Sequence, residues 1–224
     1  MNNKLASYLV HIFTASGALL AFWSMILISQ DNAAGSIWVL ALAAIIDSLD
    51  GTLARRFDVK TYTPGIDGAL LDNLVDYLTW VFLPVVWAYM FLEVPFLIGS
   101  VVLITSLFGF SHTQAKSDDH FFRGFPSYWN FVILYLYALD AGVTVSSIIL
   151  LIFAFMVLVP IKFVYPSRTK KWQKLTLILL VPYGLLLLAM LIYLNETPLW
   201  ITLVSFYYPV YYVLISVLLP RCEA

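Results

Sequence analysis

Ile46-Asp47-Ser48-Leu49-Asp50-Gly51-Thr52-Leu53-Ala54-Arg55 and, after twelve intervening residues, Gly68-Ala69-Leu70-Leu71-Asp72-Asn73-Leu74-Val75-Asp76 decide how this chain folds. Four aspartates, Asp47, Asp50, Asp72 and Asp76, stand inside stretches otherwise apolar enough to cross a membrane. A charged side chain at mid-bilayer costs about 2.5–3.5 kcal/mol on insertion scales, so four left unpaired cost on the order of 10 kcal/mol. Spacings of three and four residues put each pair on one helical face. Like charges held this close require a cation between them. The donor set is all oxygen, with no cysteine or histidine at matching spacing, which favours Mg²⁺ or Mn²⁺ over zinc or copper. Two such ions would balance four carboxylates and leave coordination positions for a phosphate or diphosphate.

Outward from this stretch, the chain has 224 residues, 62% hydrophobic and 11% charged, with a mean hydropathy of +0.91. Those values belong to an integral membrane protein. A helical crossing needs about 20 apolar residues. Candidates lie near 7–29, 36–55, 69–91, 95–114, 127–140, 143–164, 174–194 and 198–219, giving an all-α bundle of about eight transmembrane helices. The fifth is short and is expected to tilt or to enter the membrane irregularly. The connections leave no room for a soluble domain, so residues 1–224 are expected to form a single membrane domain. Only Lys4 precedes the first apolar run, which is long enough to remain as a span, so no cleaved leader is expected. The single cysteine, Cys222, excludes an internal disulfide and a zinc cluster. A net charge of −1 and a pI near 6.3 give no sign of nucleic-acid binding.

With eight spans and Lys4 inside, both termini are cytoplasmic and all twelve lysines and arginines fall on the inner side or its edge. The outer connections carry Asp31, Glu93, Asp140 and Glu196 and no basic residue, a strong positive-inside signal. Most of these cations serve to anchor helices and meet anionic head groups. This orientation puts both aspartate pairs roughly 5–12 Å inside the cytoplasmic boundary at 1.5 Å per residue, so the site should open to the cytosol. Gly51 and Ala54 share the aspartate face, and Gly68 precedes Asp72 by one turn. Alone, such small residues argue for close helix packing; beside the aspartates they argue for room for a bulky ligand.

Asp47-x-x-Asp50-Gly51-x-x-Ala54-Arg55 with Gly68-x-x-x-Asp72-x-x-x-Asp76 resembles the signature of the CDP-alcohol phosphotransferase family, here spanning residues 47–76. The stretch between Arg56 and Asp67 is longer than the family's pattern and contains Pro64 and Gly65, which extends the cytosolic loop. The resemblance implies metal-dependent attack of an alcohol on the diphosphate of a CDP-linked substrate, expelling CMP. It implies that Asp47, Asp50, Asp72 and Asp76 hold a metal pair, with Asp76 also the base that takes the alcohol's proton. It implies further that Gly51, Ala54, Arg55 and Gly68 line the nucleotide pocket. A homodimer in a bacterial inner membrane follows from the resemblance alone.

The acceptor is read from elsewhere. Val10 to Gly17, Phe121-Phe122-Arg123-Gly124-Phe125-Pro126 with Trp129-Asn130, and Tyr165-Pro166-Ser167-Arg168 are similar to the branch of the family that joins choline to CDP-diacylglycerol, characteristically with Mn²⁺. A quaternary ammonium has no proton to donate and is held by aromatic faces and a carboxylate. Tyr77, Trp80, Phe121, Phe122, Phe125, Tyr128 and Trp129 are the aromatic candidates, against the ordinary alternatives of packing and interfacial belts. Tyr128, Trp129 and Asn130, beside the Gly124-Phe125-Pro126 turn, are the expected choline contacts. Arg123 and Arg168 are the expected partners of the lipid diphosphate. His11 and Thr14 either face the nucleotide or bond a neighbouring helix. Pro84, Pro160, Pro182 and Pro209 lie within spans and should kink them. Two other functions remain open: a family member using serine, inositol or glycerol 3-phosphate, and a cation transporter. Against transport, the acidic groups cluster near one face, whereas an ion path should cross the bilayer.

Overall fold

The structure, a computed structural model, describes residues 3–112, 121–165, 169 and 172–218. Its elements run α1 (Asn3–Ser29), α2 (Ala33–Arg56), α3 (Val59–Tyr62), α4 (Gly68–Asp76), a π-helical segment (Tyr77–Phe82), α5 (Leu83–Phe91), α6 (Phe96–Ser111), β1 (Phe121–Arg123), α7 (Trp129–Ala138), α8 (Val143–Leu158), β2 (Lys162–Val164), α9 (Gln173–Ile192), a 3₁₀ turn (Leu194–Glu196), α10 (Leu199–Ser205) and α11 (Tyr207–Leu218). Among the described residues, five stretches are long and apolar enough to cross a membrane: Asn3–Ser29, Ala33–Arg56, Gly68–Phe91, Gln173–Ile192 and Leu199–Leu218. The helices α6, α7 and α8 are apolar but shorter. At 10 residues, α7 is about 15 Å long, half the hydrocarbon thickness. The protein is thus an integral membrane protein, its regular structure among the described residues helical apart from two three-residue strands.

The backbone divides into two compact units, Met1–Phe91 and Leu92–Ala224. In the first, α1 and α2 form a hairpin, with α3 and α4 also packed on α1. Asp31 turns the hairpin in the left-handed region (φ 55°), and the Asn32 side chain accepts from Gly35 N at 2.8 Å to cap α2. Short side chains make the hairpin close: Ser24 Oγ donates to Ser36 O at 3.1 Å, and Trp87 Nε1 donates to Ser36 Oγ at 3.1 Å. The long Arg56–Asp67 stretch folds against the start of α1. Ser7 Oγ donates to Phe57 O, and Asn3 Nδ2 to the Tyr62 hydroxyl. Asp67 then caps α4, its carboxylate accepting from Ala69 N and Leu70 N, both at 3.0 Å. The added loop length is absorbed without moving the aspartates off their helices.

The second unit corrects one boundary. The span expected over 143–164 ends as a helix at Leu158; Pro160 lies beyond it, and Lys162–Val164 pairs antiparallel with Phe121–Arg123. Proline removes a helix hydrogen bond and disfavours helical backbone in the residue before it; Val159 is extended, at φ −81°, ψ 128°. The ribbon is held from two sides. Val164 N donates to Ser216 Oγ and the Tyr212 hydroxyl to Val164 O on α11, while Gly124 N donates to Ile161 O and Phe125 N to Met156 O. Gly124 has φ 82°, and a Cβ there would run into the Val157 carbonyl. Only glycine fits this corner.

Candidate functional site

The candidate site lies in the first unit and is built by two helices and one crossing partner. Asp47 and Asp50 project from α2 three residues apart, and Asp72 from α4. Each offers a carboxylate oxygen, and the three oxygens lie within 4.8 Å of one another. Asp50 is buried, 6% exposed; Asp47 and Asp72 are half-buried. Asp76 is one turn beyond Asp72 on α4, half-buried and outside this group of three. The convergence expected of the two sequence segments is therefore realised for Asp47, Asp50 and Asp72.

Three hard-oxygen donors with one buried carboxylate form an electrostatic sink that fits a divalent cation with oxygen preference. Zinc and copper sites use imidazole or thiolate; the described groups here supply neither. The donor set therefore fits the divalent metal that the sequence pattern implies.

Neighbouring side chains hold these carboxylates. Trp80 Nε1 donates to Asp47 Oδ2 at 3.1 Å, and Thr14 on α1, whose hydroxyl donates to Val10 O at 3.4 Å, lies beside Asp50. His11 does not reach the carboxylates through its outer nitrogen: Nε2 lies 2.9 Å from Thr63 Oγ1. Because Thr63 already donates its single hydroxyl proton to Val59 O at 2.8 Å, His11 Nε2 is the donor. The same ring fills the space above Gly68, where a Cβ would stand 3.1 Å from His11 Cε1. Of the two options for these residues, His11 bonds the loop ahead of α4, whereas Thr14 faces the aspartates. Trp80 was legible only as one aromatic among seven; its link to Asp47 spans 33 positions and has no local signal.

The small residues take particular places. A Cβ on Gly51 would stand 3.3 Å from Arg55 Nη1, so the guanidinium lies back along α2 over Gly51, with Nη2 donating to Thr52 Oγ1 at 3.0 Å. Arg55 is exposed and Ala54 half-buried. Gly17, unremarked as a site residue, lets α1 approach α4: a Cβ there would be 2.5 Å from Val75 Cγ1.

The expected choline and diphosphate residues belong to the second unit. Trp129 is fully buried, its Nε1 donating to Ser106 Oγ at 2.9 Å and its ring edge-on to Phe125. Tyr128 and Asn130 are half-buried. Tyr128 meets Phe122 nearly at right angles, 6.5 Å between centroids, and Phe122 stacks on Tyr165 at 4.5 Å. Arg123 is exposed and pairs across the ribbon with the exposed Lys162, placing two cations opposite each other. Arg168 lies outside the described residues.

Comparison with known proteins bears on these positions. Residues 7–208 match the family described as CDP-alcohol phosphatidyltransferase. The chain is 39% identical over 176 residues to a phosphatidylcholine synthase of Legionella pneumophila, covering 75% of this chain and 68% of the relative. It is 41% identical over 182 residues to one of Borreliella burgdorferi, covering 78% and 76%. To one of Pseudomonas aeruginosa it is 37% identical over 193 residues, covering 83% and 81%.

Proposed function

We infer the function from one premise: the chain belongs to the CDP-alcohol phosphatidyltransferase family. Its activity is that of a phosphatidylcholine synthase, moving the phosphatidyl group of CDP-diacylglycerol to choline. The choline oxygen forms a bond to the phosphatidyl phosphorus, the bond from that phosphorus to the CMP oxygen breaks, and CMP leaves with the electron pair. The observation that carries this is the gathering of Asp47, Asp50 and Asp72 at one point from the two halves of the motif. Choline as acceptor is supported by what the relatives are named.

Asp47, Asp50, Asp72 and Asp76 would hold two divalent ions, Mn²⁺ or Mg²⁺. Bound there, the ions stabilise negative charge on the diphosphate as the phosphoryl group transfers. Asp76, outside the tight group of three, takes the proton of the choline hydroxyl. Gly51, Ala54, Arg55 and Gly68 bound the nucleotide. Tyr128, Trp129 and Asn130 serve the choline. Of these, Tyr128 offers the accessible ring, and Trp129 supports it from the core. Arg123 and Arg168 meet the lipid diphosphate.

The residues 1–224 act as one membrane domain with eight crossings, the three shorter apolar helices adding to the five long ones. Both termini and the aspartates face the cytosol across a bacterial inner membrane, as the one-sided distribution of basic residues supports. A homodimer is part of the same reading. The test is CMP release by the purified chain from CDP-diacylglycerol with each labelled alcohol in turn. Choline is expected to react. Failure with choline beside turnover of serine, inositol or glycerol 3-phosphate would reassign the acceptor within the family.

A further inference from the structure

The third long helical stretch winds as an α-helix to Asp76, then as a π-helix over Tyr77–Phe82, then again as an α-helix. Pro84 accounts for the change. It has no N–H to offer the carbonyl of Trp80 four residues earlier, and in α geometry its ring would strike that carbonyl. The backbone loosens instead, and Leu83 N donates to Leu78 O, five residues back. In an α-helix four residues overshoot a full turn, because a turn takes 3.6. In the wider π winding, with its bonds five residues apart, four residues fall short of one. The loosened segment therefore brings Trp80 back toward the face that carries Asp72 and Asp76, where its indole N–H meets Asp47 Oδ2 at 3.1 Å on α2.

We propose that Trp80 is a positioning residue for the metal site and that the π-turn set by Pro84 is the device that delivers it. The indole is a donor only, so it serves a carboxylate and cannot compete for the ion. By occupying Oδ2 it fixes the torsion of Asp47 and leaves Oδ1 directed by the same bond. Partners of this kind, touching the ligand and not the metal, typically control 10–100-fold of metal affinity. The proposal rests on Asp47 being a metal ligand. It adds a reason for the helix irregularity, since π-turns occur frequently at functional sites.

The experiment is direct Mn²⁺ titration of the purified full chain in detergent, with free ion read by electron paramagnetic resonance. It compares wild type, Asp47→Asn, Trp80→Phe, Trp80→His, Pro84→Ala and the Trp80→Phe/Pro84→Ala pair. Trp80→Phe is expected to raise the Mn²⁺ Kd roughly 10–100-fold, while the choline KM at saturating Mn²⁺ stays at the wild-type value. Trp80→His keeps a ring N–H at the position of the indole nitrogen and should recover most of the affinity. Pro84→Ala, which permits α winding, should weaken Mn²⁺ binding like Trp80→Phe, and the pair should be no weaker than Trp80→Phe alone. Wild-type affinity in Trp80→Phe, with affinity lost in Asp47→Asn, would overturn the role of Trp80 and leave the metal site standing. Wild-type affinity in Pro84→Ala would overturn the π-turn as its cause. Wild-type affinity in Asp47→Asn would remove the metal reading and this proposal with it. Should Trp80→Phe fail to fold, the Pro84→Ala and Trp80→His titrations decide the same question.

Discussion

Gly17→Ala adds one carbon, yet it should disable the site. Gly17 follows Thr14 by three residues on α1, and Val75 follows Asp72 by three residues on α4, so the contact between them lies about one turn from Thr14 on the one helix and from the Asp72 carboxylate on the other. The new Cβ would stand 2.5 Å from Val75 Cγ1. Carbon–carbon contacts settle at about 3.5–4.0 Å, so the helices must yield by roughly 1 Å. Val75 is buried and β-branched, with one preferred rotamer in a helix, and cannot swing away. Overpacking of this kind costs about 1–3 kcal/mol of stability. The displacement matters more to the chemistry, because a 1 Å misplacement of reacting groups costs on the order of 10²-fold in rate. CMP release from CDP-diacylglycerol and choline, followed with the melting temperature, measures both. Gly17→Ala should lose about two orders of magnitude in kcat/KM, and the Gly17→Ala/Val75→Ala pair should regain most of it. Full activity in Gly17→Ala, or no recovery in the pair while Val75→Ala alone is active, would refute the reasoning.

Asp76→Asn should abolish metal-dependent CMP release, as measured by nucleotide chromatography; persistence of release would remove Asp76 as the base, and metal-driven ion flux without any release would favour transport. Chelation should stop turnover and lower the melting temperature by mass action, with Mn²⁺ or Mg²⁺ restoring both; turnover that survives chelation would count against the metal. Gly124→Ala should destabilise the chain by about 1–3 kcal/mol through its positive φ and the Val157 carbonyl, seen as a lower melting temperature; an unchanged melting temperature would show that the corner can open.

The aspartate site was legible because helix periodicity is local: three- and four-residue spacings orient side chains without knowledge of any partner. Hydrophobic length likewise located the long crossings, since a bilayer imposes its thickness on the chain. What orients the carboxylates was not legible. Thr14 comes from another helix, and its spacing from His11 left two directions open; Trp80 comes from 33 residues beyond Asp47, and in a chain rich in aromatics it carries no mark of its contact. The ribbon was missed for a related reason: Phe121–Arg123 and Lys162–Val164 are three residues each, too short for an alternation to show, and their pairing joins segments some 40 positions apart.

The prolines make the sharpest case of what a local rule leaves undetermined. Pro84, Pro160, Pro182 and Pro209 all read as kinks within spans, yet they have four structural outcomes. Pro182 remains inside α9, and Pro160 ends α8 before β2. Pro209 sits in the first turn of α11, where its missing N–H is not needed, with the change of helix placed at Phe206. Pro84 loosens one segment to π winding and lets the helix continue. Each lacks the same N–H; the difference is where it falls and what the preceding turn can do in response. At Pro84 that turn contains Trp80, whose indole has Asp47 to bond once the helix has widened. A helix defect is therefore cheapest where a long-range contact rewards it, and such a contact is what sequence periodicity cannot display.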